Sequence, residues 1–150
     1  MTEESISEKV FRFLEGEWGI RRQFKGSYGG DFSGHAVFES KTNAPSTYHY
    51  SEQGELVDSE GKRFAAKQTY RYLLKEGQVE ILKQEGSDWI VMHGLDLKDD
   101  GGVATASHVH LCGQDHYATI YRVDFSGSLE VEYSVKGPNK GYSIHTTFKR

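Results

Sequence analysis

The sequence has few of the features that mark secreted, membrane-spanning or nucleic-acid-binding proteins. Its single cysteine, Cys112, cannot form an internal disulfide, which fits a reducing compartment. Its longest aliphatic and aromatic run, Trp89-Ile90-Val91-Met92, is far shorter than the ~20 residues that a membrane-spanning helix needs. The chain begins Thr2-Glu3-Glu4 after the initial methionine, without a basic segment leading into an apolar one, so we expect no secretory signal. A net charge of −4 disfavours a general nucleic-acid surface.

The length of 150 residues predicts a single domain over residues 1–150, large enough to hold a core without disulfides. We expect this domain to be cytoplasmic, with no nucleic-acid partner and no membrane partner. Its oligomeric state stays open.

Hydrophobic periodicity predicts one helix and then only strands. Residues 5–14 combine a capping box, Ser5 with Glu8, and an apolar stripe that includes Val10 and Leu14. The following segments are rich in β-branched and aromatic residues and are separated by turn residues. These predicted strands are 17–25, 32–40, 47–53, 63–75, 78–84, 88–95, 103–112, 115–125, 129–136 and 141–150.

The short connections leave no room for crossover helices, so the strands form an antiparallel meander. Closure of such a meander removes its exposed edges. We therefore expect an all-β, antiparallel, up-and-down barrel of eight to ten strands with a short N-terminal helix.

Alternation along the strands predicts an interior that is aromatic but also polar. Trp18 and Phe24 share a face with Arg22, and Tyr70 and Tyr72 share one with Gln68. An inward-pointing Arg22 requires a partner, and an anionic ligand is one candidate for that partner; a bulge that turns Arg22 outward is the alternative.

The richest cluster of chemically active side chains lies on one predicted hairpin. A two-residue turn at Gly113-Gln114 pairs Cys112 with Asp115, His110 with Tyr117 and His108 with Thr119. One surface then carries His108, His110, Tyr117 and Tyr121.

Several segments resemble known sequences. Gly16-Glu17-Trp18 after a short helix, with Arg150 ending the last strand, resembles the calycin superfamily of lipocalin-like barrels. The resemblance extends to a lipocalin-like family of unknown function through Tyr70-Arg71-Tyr72, His110-Leu111-Cys112 and Gly137-Pro138. It implies a barrel in which the Trp packs under the floor and the late Arg lies across it. It implies no activity, and Gly141 stands where that family usually has an acidic residue.

His108-x-His110 has the spacing of paired metal ligands. The glutamate of the cupin motif is missing, and Cys112 or His93 become third ligands only if the strand register brings them in. Haem held by one imidazole, as in some calycin-fold proteins, is a further alternative. We expect no cofactor and no tightly bound metal.

These patterns predict a barrel that binds a small amphipathic molecule, anionic if it pairs Arg22. The predicted ligand-binding residues are Arg22, Tyr70, His108, His110, Tyr117 and Tyr121. One alternative is a small-molecule lyase or isomerase that uses His108 or His110 with Tyr117 or Tyr121, although no catalytic residue is assigned. Another is a structural or partner-binding barrel with a filled core.

Overall fold

The computed structural model describes residues 4–27 and 29–150. Thr2 and Glu3, on which the expectation of no secretory signal partly rests, lie outside the described residues. In the described part of the chain, a helix α1 (Ile6–Leu14) precedes eleven strands. The strands are β1 (Gly16–Gly26), β2 (Gly30–Lys41), β3 (Ala44–Asp58), β4 (Arg63–Lys75), β5 (Gln78–Glu85), β6 (Asp88–Leu95), β7 (Lys98–Asp99), β8 (Val103–Cys112), β9 (Asp115–Asp124), β10 (Ser128–Gly137) and β11 (Lys140–Lys149).

The helix begins and packs as its sequence predicts. The Ser5 hydroxyl accepts a hydrogen bond from the Glu8 backbone N–H at 3.1 Å, and the Glu8 carboxylate accepts one from the Ser5 N–H at 3.4 Å. This reciprocal pair satisfies two of the backbone donors that a helix start leaves unpaired. Val10, Phe11 and Leu14 are buried and fix α1 against the sheet.

The strands form one antiparallel sheet in the order β6-β5-β4-β3-β2-β1-β11-β10-β9-β8-β7. The order confirms the all-β up-and-down prediction with a short N-terminal helix. The predicted count of eight to ten strands is wrong, because the described residues form eleven. The extra strand, β7, is only the two residues Lys98 and Asp99, too short to show an alternating pattern in the sequence.

The two edges of this sheet come together without pairing along their length. Asp96 and Leu97 alone separate β6 from β7, so the chain passes directly from one sheet edge to the other. The rings of His93 on β6 and His108 on β8 have centroids 6.2 Å apart. No ladder joins β6 to β8 anywhere in the described ranges. The sheet is thus curled into a half-barrel that is open along this seam, so the expected closure of the meander is incomplete because β6 does not pair with β7 or β8. We call this half-barrel the barrel.

One end of the barrel, which we call the floor, is closed by α1 and by a contact between its first and last strands. Trp18 is 2% exposed, and its indole N–H donates to the Leu14 carbonyl at 2.9 Å. The Arg150 guanidinium lies 4.0 Å from the centre of a Trp18 ring and donates to the Phe13 and Glu15 carbonyls. This arrangement confirms the predicted contact between Trp18 and Arg150, and it satisfies carbonyls at the end of α1.

Candidate functional site

Between the floor and the opposite end lies a cavity of about 410 Å³. We call that opposite end the mouth; it carries the turn between β8 and β9. The cavity is lined by tyrosines from four strands, β3, β4, β9 and β10, and by aliphatic residues such as Val131 and Ile144. Its volume falls within the ~300–1,000 Å³ typical of small-molecule sites.

Arg22 and Glu52 form an ion pair in the wall of this cavity. Arg22 Nη1 donates to Glu52 Oε2 at 2.7 Å and Nη2 donates to Oε1 at 3.0 Å, while Nε donates to the Thr146 hydroxyl at 2.9 Å. The register places Thr146 directly opposite Arg22 across β1 and β11. Burial opposes the charge of Arg22, but hydrogen bonding and attraction from Glu52 raise its pKa above the usual value.

The structure therefore confirms that Arg22 points inward and gives it a protein partner. Glu52 is 3% exposed, and its oxygens accept both guanidinium bonds and a further one from the Tyr50 hydroxyl at 2.7 Å. A ligand carboxylate is thus not needed to compensate Arg22.

The cavity tyrosines are neutral hydrogen-bonding groups. Tyr70, a predicted site residue, lines the cavity and donates to the Gln68 side-chain oxygen at 2.8 Å. Burial, followed by neighbouring hydroxyls and Glu52, raises the pKa of Tyr72 well above 10. Tyr121 is also a predicted site residue that lines the cavity, and burial likewise raises its pKa. Within residues 4–27 and 29–150, the Tyr72 and Tyr121 hydroxyls have no hydrogen-bond partner.

His93 lies where the seam meets the cavity. Its ring centroid is 6.1 Å from that of Tyr121 and 6.2 Å from that of His108. Its buried Nδ1 has no hydrogen-bond partner in the part of the chain that the structure describes. Burial, followed by the charge of His108, lowers the pKa of His93 below 6.5. At neutral pH the imidazole is therefore uncharged and carries one donor and one acceptor.

The register of the β8–β9 hairpin is confirmed, but its histidines lie outside the cavity. Cys112 pairs with Asp115, His110 with Tyr117 and His108 with Thr119. Thr119 lines the cavity, whereas His108, His110 and Tyr117 do not. The reason is that β7 supports β8 only at Ala104 and Thr105, so every residue from Ser107 to Cys112 is exposed. Their role as ligand contacts stays a prediction.

At the mouth, four rings follow one another across neighbouring strands. Ring centroids are separated by 6.1 Å between His110 and Tyr117, 6.3 Å between Tyr117 and Tyr133, and 6.5 Å between Tyr133 and Tyr142. Beside them, Lys140 Nζ lies 3.6 Å from Asp115 Oδ2. His110 therefore belongs to an aromatic rim at the mouth, which reaches the cavity lining at Tyr133.

Among the described residues, no group of three or more His, Cys, Asp or Glu side chains has an arrangement that could hold a metal ion. Cys112, one of the candidate third ligands, is exposed at the tip of the hairpin.

The model of a family of unknown function, DUF6314, matches residues 14–150. The chain belongs to this family. No curated protein matches the DUF6314 chain significantly. In the part that the structure describes, no helix has the length and apolar character needed to cross a membrane.

Solved structures resemble the DUF6314 chain in fold. Rv2717c from M. tuberculosis has a TM-score of 0.61 at 14% identity, over 99% of each chain, which shows a shared fold alone. A de novo designed fluorescence-activating β-barrel has a TM-score of 0.49 at 13% identity, over 94% of this chain and 96% of its own. A further protein, EF1p2_mFAP2b bound to DFHBI, has a TM-score of 0.48 at 14% identity, over 93% of this chain and 94% of its own.

The predicted ligand-binding residues do not include Tyr72, which lines the cavity, or Glu52 and Thr146, which hold Arg22. His93 also lines the cavity, whereas the sequence indicates it only as a candidate metal ligand. The alternation that places Tyr48 and Tyr50 on the inner face of β3 continues to Glu52, and this pattern predicts that Glu52 points inward.

Proposed function

We propose that the barrel binds a small amphipathic molecule in the cavity between its floor and mouth. The observation that carries the proposal is the cavity itself, about 410 Å³ of space lined by aliphatic walls and by phenols without partners among the described residues. An interior selected only for packing would be filled by apolar side chains in contact. The cavity therefore disfavours the alternative of a structural barrel with a filled core.

We extend the proposal to a lipocalin-like, calycin-type barrel formed as a single domain over residues 1–150. The support is the contact of Trp18 with Arg150 under the floor. A cytoplasmic location is part of the same proposal and is supported by the free thiol of Cys112. The proposed partner is a small molecule, with neither nucleic acid nor membrane. Fractionation that recovers the protein outside the cytoplasm would contradict the location.

The lyase or isomerase alternative loses support from the structure. It assigns proton transfer to His108 or His110, and both side chains are exposed and neither belongs to the cavity lining. A general acid or base must lie within hydrogen-bond reach of the reacting group.

The experiment is a fluorescence titration with N-phenyl-1-naphthylamine, an uncharged probe that brightens in apolar surroundings. Val131→Phe adds volume to the cavity wall, and Val109→Phe adds the same ring on the outer face, where Val109 is 66% exposed. We expect the wild type and Val109→Phe to bind the probe and Val131→Phe to lose at least tenfold in affinity. Equal binding by the two variants, with both folded by circular dichroism, would place the probe outside the cavity and contradict the proposal.

Native mass spectrometry of freshly purified protein complements the titration. If a small molecule copurifies with the wild type but not with Val131→Phe, its mass would identify the natural ligand.

A further inference from the structure

We propose that the cavity selects uncharged ligands over anions, and that Glu52 excludes anions by compensating Arg22. This inference rests on the proposed function, because it names the chemical class of ligand for the same cavity.

Each cationic side chain in the cavity wall already has a carboxylate partner from the protein. Arg22 makes two short hydrogen bonds to Glu52 and one to Thr146. Lys83, the other Lys or Arg side chain of the described wall, has its Nζ 3.2 Å from Glu85 Oε1. An entering anion would lose its hydration and meet cations that are already compensated. A neutral molecule loses less hydration.

The polar groups that remain available are uncharged. Tyr72 and Tyr121 present hydroxyls that have no partner among the described residues, and burial keeps both protonated. A protonated phenol donates a hydrogen bond, so the complementary ligand group is an acceptor such as a carbonyl or ether oxygen. His93 adds an uncharged imidazole next to Tyr121. Aliphatic walls at Val131 and Ile144 favour an apolar remainder.

The test compares two probes that share a ring system and differ in charge. N-phenyl-1-naphthylamine is neutral, and 8-anilinonaphthalene-1-sulfonate carries a sulfonate on the same skeleton. We expect the wild type to bind the neutral probe at least tenfold more tightly. Glu52→Gln leaves Arg22 uncompensated, so we expect its affinity for the sulfonate to rise at least tenfold while affinity for the neutral probe changes less than threefold.

Two variants serve as controls. Glu55→Gln removes an ion pair with Arg63 on the exposed side of the same strand, and we expect it to match the wild type for both probes. The double variant Arg22→Met/Glu52→Gln removes both interior charges, so the gain in sulfonate affinity should disappear.

The possible outcomes distinguish failure of the selection against anions from failure of the proposed ligand binding. A wild type that binds both probes equally, with Val131→Phe blocking both, would overturn the selection and leave cavity binding intact. If neither probe shows binding that Val131→Phe abolishes, the proposed function itself is contradicted. If Glu52→Gln does not fold in buffer alone, it is titrated in trimethylamine N-oxide, which favours compact states. If the affinity of Glu52→Gln for the sulfonate is unchanged under these conditions, Glu52 does not contribute to the exclusion of anions.

Discussion

The floor and the mouth of this barrel are made from the same strands but differ in how their side chains are held. At the floor, Trp18 is enclosed by α1 and covered by Arg150, and the Tyr48 hydroxyl donates to the Phe11 carbonyl at 2.7 Å. At the mouth, β8 projects beyond its support on β7, and Val109 and Leu111 are 66% and 61% exposed.

The difference shows where this fold obtains its stability and where it retains space. Contacts at the floor join residues that are far apart in the chain, and they exclude water. The same sheet at the mouth and around the cavity keeps polar groups available. Stability and binding are thereby separated along the barrel axis, so substitutions at the two ends should have different consequences.

The largest difference is expected for the two tryptophans. Trp18→Ala should lower the unfolding free energy by roughly 3–5 kcal/mol, because it empties a closed site at the floor. Trp89 lies near the mouth on β6, half-buried, with the Arg71 guanidinium 4.1 Å from its ring centre. Trp89→Ala should cost about 1–2 kcal/mol. Urea unfolding of both variants measures the contrast, and equal losses would contradict it.

A smaller contrast is expected for two glycines with positive φ. Gly16 at the floor has φ +115°, and an added Cβ would lie 3.2 Å from Arg150 Nη1. Gly113 at the hairpin turn has φ +64°, with nothing within 4 Å. We expect Gly16→Ala to cost about 2–3 kcal/mol and Gly113→Ala about 1 kcal/mol, because only the first adds crowding to backbone strain. Thermal unfolding in which Gly113→Ala is the less stable variant would reverse the comparison.

Acid should weaken the region between the two ends through His93. Burial, then His108, lowers the pKa of folded His93 below the 6.5 of an unfolded histidine. The unfolded chain therefore binds the proton more readily, and the stability that neutral His93 contributes above about pH 6.5 is lost as the pH falls toward its folded pKa. We expect His93→Gln to reduce the loss of unfolding free energy between about pH 7.5 and pH 5.

The control for this prediction is His116→Gln, at an exposed position on β9. Its unfolding free energy should follow the wild type at both pH values. An identical acid loss in His93→Gln and the wild type would remove His93 from the effect.

The smallest effect is expected at the exposed edge of the mouth. Leu111→Ala should change the unfolding free energy by less than about 0.5 kcal/mol, because the side chain is largely in water. A loss above about 2 kcal/mol would show that Leu111 is covered in solution.

The resemblance to calycin barrels implied the contact of Trp18 with Arg150 at the floor, and the structure shows this contact. The capping box and the apolar stripe predicted the helix that precedes Gly16, the first residue of β1. The hairpin register of β8 and β9 also followed directly from its two-residue turn. The alternation of side chains along the strands predicted that Arg22, Tyr70 and Tyr121 point inward, and all three line the cavity.

The mouth was predicted less well because exposure there depends on where a neighbouring strand stops. His108 and His110 share the strand face of buried Ala104 and Ala106, yet nothing in their own segment reveals that β7 ends after two residues. The pairing of Arg22 with Glu52 depends on residues from strands that are not adjacent, so a strand-by-strand analysis does not detect it.

The ladder between β1 and β11 has a consequence for synthesis on the ribosome. Residues of β1 from Gly19 to Gly26 pair with β11, the described strand farthest from β1 in the chain, while the other ladders join strands that are close in the chain. At ~5–20 residues per second, β1 waits on the order of ten seconds before its partner leaves the exit tunnel. Nascent hairpins can accumulate during that interval, but Trp18 lacks its Arg150 cover and two sheet edges stay unpaired. The nascent chain is therefore most vulnerable to association with other chains shortly before translation of β11 ends.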